Sequence, residues 1–141
     1  MCSYCGCQAI EIIGRFTAEH EDIVNGLGDL RRSVASGVEA DIASSAAALA
    51  GMLDPHTASE ERSLFAELRQ DEEFTDEVDQ LCAEHHGLDA QLSAIAGGRH
   101  DVMADFEVAL RRHIDREENG LFPAAAIALG GDAWERVHAV G

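Results

Sequence analysis

Six residues of this sequence have types and spacings suited to holding metal ions. His56 is followed four residues later by Glu60, and His113 by Glu117, so each pair lies on one face of a helix. Another histidine precedes each pair, His20 before the first and His85 before the second, at separations of 36 and 28 residues. The local context repeats as well. Ala18-Glu19-His20 matches Ala83-Glu84-His85, and His56-x-x-x-Glu60-Glu61-x-x-Leu64-Phe65 matches His113-x-x-x-Glu117-Glu118-x-x-Leu121-Phe122. A single histidine on an apolar helix face is more often a hydrogen-bonded core residue than a ligand. Two copies of one set, in the same order and helical phase, argue for a metal site. Imidazole with carboxylate suits iron, with manganese or a mixed pair as alternatives. Calcium would ask for oxygen alone, and structural zinc usually for thiolates.

The elements that must position these residues are helices, because the apolar residues recur at alternating three- and four-residue steps. One stripe runs Phe16, His20, Ile23, Leu27, Leu30; a second Leu49, Leu53, His56, Glu60, Leu64; a third Val78, Leu81, His85, Leu88, Leu92; a fourth Phe106, Leu110, His113, Glu117, Leu121. Each stripe is apolar except at the repeated positions, so four histidines and two glutamates face one interior. A buried carboxylate without a partner costs several kcal/mol, and a bound cation removes that cost. The spacing predicts helices over 17–36 (Thr17 as N-cap, Gly37 as stop), 39–69, 75–96 and 101–122. Pro55 should kink or divide the second, and Pro123 should disturb the fourth, since proline lacks a backbone donor and clashes with the preceding turn. A short helix over 132–140 could lay Trp134 against the end of the bundle. The expected fold is all-α: two helical hairpins forming an up-down antiparallel four-helix bundle over 9–141, after an irregular, Cys-rich segment at 1–8.

The chain of 141 residues carries 27 acidic and 10 basic residues, a formal charge of −17, and every basic residue is arginine. That balance argues against nucleic acid or an anionic membrane as partner. No stretch approaches the roughly 20 apolar residues of a membrane span. The first residues lack the basic and apolar regions of a secretory signal, so a cytoplasmic location is expected. There, cysteines point to metal or redox chemistry more than to structural disulfides. Cys2, Cys5 and Cys7 form a dense cluster that reads as an additional metal site lacking its fourth ligand, as a thiol switch, or as incidental thiols. Cys82, one turn before His85, reads as a small core filler, a redox partner of the metals, or that fourth thiolate.

As a set these motifs resemble the haemerythrin-like, HHE cation-binding family, over roughly residues 9–129. The resemblance implies a carboxylate-bridged, oxo- or hydroxo-bridged di-iron centre. It makes His20, His56, His85 and His113 terminal ligands and Glu60 and Glu117 the bridging carboxylates. Family members bind oxygen reversibly, sense oxygen or iron, or react with peroxide or nitric oxide. Oxygen-carrying members use a fifth histidine four residues from another on the third helix; here the flanking positions are Leu81 and Asp89. Asp89 could supply an oxygen ligand or leave its place to water, and a less saturated site favours reaction over carriage. Glu61 and Glu118 read either as acceptors that orient ligand histidines or as exposed helix carboxylates, and Glu118 could replace Glu117 as the bridge. His86, His100 and His138 read as surface residues, His86 with a second option as a support to the ligands.

The expected function is therefore that of a non-haem di-iron protein meeting O2, peroxide or nitric oxide, in redox sensing or detoxification. Peroxidase- or catalase-like turnover and reaction with nitric oxide are the activities such a site admits. Two rivals stand beside it: an oxygen- or iron-sensing module acting through a protein partner without turnover, and an iron donor in iron–sulfur cluster repair.

Overall fold

A computed structural model describes residues 7–141, with the side chains from Gln8 onward. Cys2 and Cys5 lie outside the described residues, as does the Cys7 side chain, and so does any site the cysteine cluster would form. Helix α1 spans Cys7–Ser36. Helix α2 spans Glu39–Glu60 and continues through a π-helical turn, Glu61–Phe65, into Ala66–Leu68. Helix α3 spans Glu72–Ala96. A 3-10 turn, His100–Val102, leads into α4, which spans Met103–Arg116, a second π-helical turn, Glu117–Leu121, and Phe122–Ala128. A short α5, Gly131–Val140, follows. There is no strand among the described residues.

Helix α1 begins well before Thr17, which caps nothing. Ala9, Ile12 and Phe16 extend its apolar stripe and are buried, so tertiary burial carries the helix back to Cys7. At its other end Gly37 adopts φ +74°, a left-handed conformation that closes the helix onto the carbonyls of Ser33 and Val34. Helix α3 starts at Glu72, ahead of Thr75, because Asp71 caps it by accepting from the Glu73 amide at 3.0 Å. Pro55 lies inside α2 without dividing it; the irregularity falls instead in the π turn after Glu60. Likewise α4 runs on past Pro123. The proline follows the second π turn in the first turn of a fresh α-helical segment, where a missing donor costs little.

Helices α1, α2, α3 and α4 pack in a closed ring, each against its neighbours in sequence and α4 against α1. Two apolar clusters fill the interior. One holds Phe16, Leu64, Phe65, Leu81, Leu121 and Phe122; the other holds Ile23, Leu53, Leu88 and Leu110 among others. Along α1 and α3 the chain passes from the first cluster to the second, and along α2 and α4 it returns, which is the up-down antiparallel order. The repeated histidines and glutamates lie at the crossing point on all four helices, a polar layer between two apolar ones. Helix α5 packs on α1 and on the end of α2 and buries Trp134 in the first cluster.

Candidate metal centre

The sequence-predicted residues meet in that polar layer. His20, His56, Glu60, His85, His113 and Glu117 are all buried, both glutamates completely. They form two groups of four that could each hold a metal ion. His20 and His56 stand in one, His85 and His113 in the other, and Glu60 and Glu117 belong to both. The Nε2 atoms point inward. His20 Nε2 lies 3.0 Å from Glu117 Oε1 and 4.0 Å from Glu60 Oε2, and His56 Nε2 lies 3.3 Å from Glu60 Oε2. On the other side His85 Nε2 lies 3.2 Å from Glu60 Oε1 and His113 Nε2 lies 3.5 Å from Glu117 Oε1.

The outer nitrogens are all spoken for. His56 Nδ1 meets Glu19 at 2.6 Å, His113 Nδ1 meets Glu84 at 2.8 Å, His85 Nδ1 meets Glu61 at 2.7 Å, and His20 Nδ1 meets Glu118 at 2.7 Å. Each contact crosses to a neighbouring helix, so the four pairs run right round the ring of helices. A carboxylate only accepts, so Nδ1 carries the proton in every ring. In a neutral imidazole, Nε2 is then a bare lone pair. Four such nitrogens and four carboxylate oxygens converge with no donor among them. His20 Nε2, His56 Nε2 and all four oxygens of Glu60 and Glu117 are buried without a hydrogen-bond partner, and His85 Nε2 faces His113 Nε2 at 3.1 Å. A cage of acceptors is unfavourable unless cations occupy it, which is the chemistry of the donor set a metal pair would use.

Without metal, protons must serve. Burial together with the neighbouring Glu60 charge pushes the Glu117 carboxyl well above its usual range, because two adjacent carboxylates do not both ionise cheaply. Burial opposes ionisation of Glu60 too, but His56 and His85 overcome it and hold this carboxyl low. Burial acts against charging His56 and His85, and contact with Glu60 outweighs it and raises both. At His20 and His113 burial prevails, helped by the facing histidine, and both are lowered.

Residues 11–125 match the family model described as the Hemerythrin HHE cation binding domain. The chain belongs to that family. Searches of curated proteins and of solved structures gave no match. In this HHE domain one pair of aromatic contacts follows the repeat: Phe122 stacks on His20 and Phe65 on His85, at interplanar angles of 8° and 10°. The first π turn helps by bringing Ser63, Leu64 and Phe65 inward together.

Of the residues the sequence left open, Glu61 and Glu118 sit on the outer nitrogens of His85 and His20, not in the interior beside Glu60 and Glu117. Asp89 and His86 are exposed and line a surface groove over His85, away from the inner oxygens. His138 is exposed and His100 partly so, and neither joins the cluster. Cys82 packs at the edge of the first apolar cluster, with the Arg69 guanidinium 3.6 Å from its sulfur. Sequence reasoning missed the roles of Glu19 and Glu84 on His56 and His113. The signal was the glutamate directly before His20 and His85 in both halves.

Proposed function

We propose that the chain is a non-haem di-iron protein that binds or reacts with O2 or a related small oxidant, in redox sensing or detoxification. In this reading His20 and His56 would hold one iron, His85 and His113 the other, and Glu60 and Glu117, which belong to both groups, would serve both. The observation that carries it is the pair of buried groups sharing both glutamates, with every inner atom an acceptor. Two nearby cations answer that arrangement better than one. Bound iron would supply electrons and open coordination positions.

The protein's own residues do the rest. The outer carboxylates fix each imidazole's tautomer and aim. Phe16, Phe65 and Phe122 and the two apolar clusters exclude bulk water from the layer. Each group has only two histidines. The flanks of His85 offer nothing further, since Leu81 is buried among apolar side chains and Asp89 is exposed. So few histidines would leave the donor set of each ion unsaturated, which favours reaction over simple carriage.

The test is anaerobic loading with ferrous iron, followed by oxygen and a visible spectrum. A stable coloured species that reverses when oxygen is removed supports carriage or sensing. Irreversible oxidation supports turnover and makes peroxide and nitric oxide the next reactants. Failure to bind iron overturns the reading.

A further inference from the structure

The four outer carboxylates are not equivalent on their far sides. The second oxygen of Glu84 accepts from Arg116 and, at 3.2 Å, from Gln80. The second oxygen of Glu19 lies 3.7 Å from Arg15, whose guanidinium is anchored by donating to the Ser59 hydroxyl at 2.7 Å. Glu61 and Glu118 contact His85 and His20 with no arginine behind them among the described residues. Each metal-binding group thus contains one arginine-backed histidine, His56 or His113, and one whose carboxylate stands alone, His85 or His20.

This division does not follow from the repeat. The position matching Arg15 is Gln80, and the position matching Arg116 is Ser59. Arg15 reaches Glu19 from the same helix, α1, and is itself held by Ser59 of α2; Arg116 reaches Glu84 from the neighbouring α4, and Gln80 reaches it from Glu84's own helix, α3. The same charge reaches the matching carboxylate once from its own helix and once from a neighbour. A carboxylate on an imidazole N–H strengthens the ring as a donor, and a guanidinium on its far oxygen draws that charge away while fixing its position.

We propose that Arg15 and Arg116 are positioning residues that hold Glu19 and Glu84 on His56 and His113 and weaken these two rings as metal donors relative to His20 and His85. Each ion is then bound by one strong and one weakened imidazole. The proposal rests on the metal reading above.

Its test begins with histidine-labelled full-length protein, metal-free and zinc-loaded, with the Nδ1–H resonances read by NMR. Zinc is redox-silent, so the readout is independent of oxidant chemistry. Arg116→Gln should move the His113 Nδ1–H downfield and leave that of His85 in place, and Arg116→Lys should restore it. Arg112 lines the same groove and makes no ion pair among the described residues, so Arg112→Gln controls for general charge and should move neither. In iron-loaded protein the midpoint potential should fall in Arg116→Gln more than in Arg112→Gln, because a stronger donor favours the oxidised ion. An unmoved His113 resonance, or equal effects of the two substitutions, overturns the proposal. Failure of the metal reading is separable: the wild type would take up no metal, while the metal-free spectra would still report on Arg116.

Discussion

The two halves of the bundle agree closely inside and differ outside. The His20 and His56 rings have centroids 4.7 Å apart at 61°, and the His85 and His113 rings 4.7 Å apart at 63°. Further out the halves diverge. Phe16 meets His56 edge-on at 5.6 Å, whereas the matching position is Leu81, and among the described residues His113 has no aromatic ring contact but that with His85. Beside His20 stand Glu21 and Val24; beside His85 the matching positions are His86 and Asp89. What stays duplicated is what chelation would constrain: two nitrogens per side, two shared carboxylates, four outer acceptors. What varies is the aromatic packing, the exposed flanks and the arginines behind the outer carboxylates.

The largest effects should come where the halves are joined. Glu60 and Glu117 serve both groups, so Glu117→Ala should abolish metal uptake at both. His56→Ala and His113→Ala should each remove chiefly their own side's ion. Elemental analysis of the variants checks this, and equal total loss from every single substitution would mean the two sides do not act as separate holders. Removing metal with a chelator should destabilise the whole bundle, because it leaves the acceptor cage to protons. At about a thousandfold excess over Kd each bound ion contributes about 4 kcal/mol, and two contribute about 8. For a chain of this size that corresponds to a fall in Tm of roughly 25 °C. Calorimetry with and without chelator decides it.

Most of this geometry was legible in the residue pattern because helical phase determines facing. His20, His56, His85, His113, Glu60 and Glu117 share stripes with leucine and phenylalanine, and the structure buries all six. The limits of helices were less legible. Thr17 reads as a cap by type, but Ala9, Ile12 and Phe16 continue the buried stripe, and burial outweighs local preference. Pro55 and Pro123 read as breaks, yet a five-residue π turn lies just beyond the first and just before the second, and no local signal in the sequence marks a π turn. The pairing of Glu19 with His56 was hidden for another reason. It joins neighbours across a helix interface, and the repeat marks Glu19 without saying which histidine it meets.

Smaller effects should appear at the outer carboxylates. Glu61→Gln and Glu84→Gln keep the shape but replace a full charge, and loss of such a support typically costs about 10–100-fold in metal affinity. With no arginine behind it, Glu61 should show the larger loss, measured by competition titration with a coloured chelator. The pH response sharpens the comparison further. Metal binding needs neutral imidazole and ionised carboxylate; the raised imidazoles are His56 and His85, one on each side and both against Glu60, and the shared Glu117 carboxyl is raised as well. Affinity should be complete above their raised values and decline as pH falls through them, with both ions leaving over one window. Release in two well-separated steps would show that the halves differ electrostatically at the core and not only outside.

The smallest expected effect is at His86. It directly follows His85, and by type it could be a ligand, but it is exposed and its match in the other half is Glu21. One step along a helix turns a side chain by about 100°, which takes it off the inward face. His86→Ala should therefore leave metal content and spectrum unchanged and alter stability by no more than about 0.5 kcal/mol. Metal analysis alongside His56→Ala provides the contrast. If the two variants lose metal equally, helical facing is not what selects the ligands, and the match between the halves would have to arise from something other than chelation.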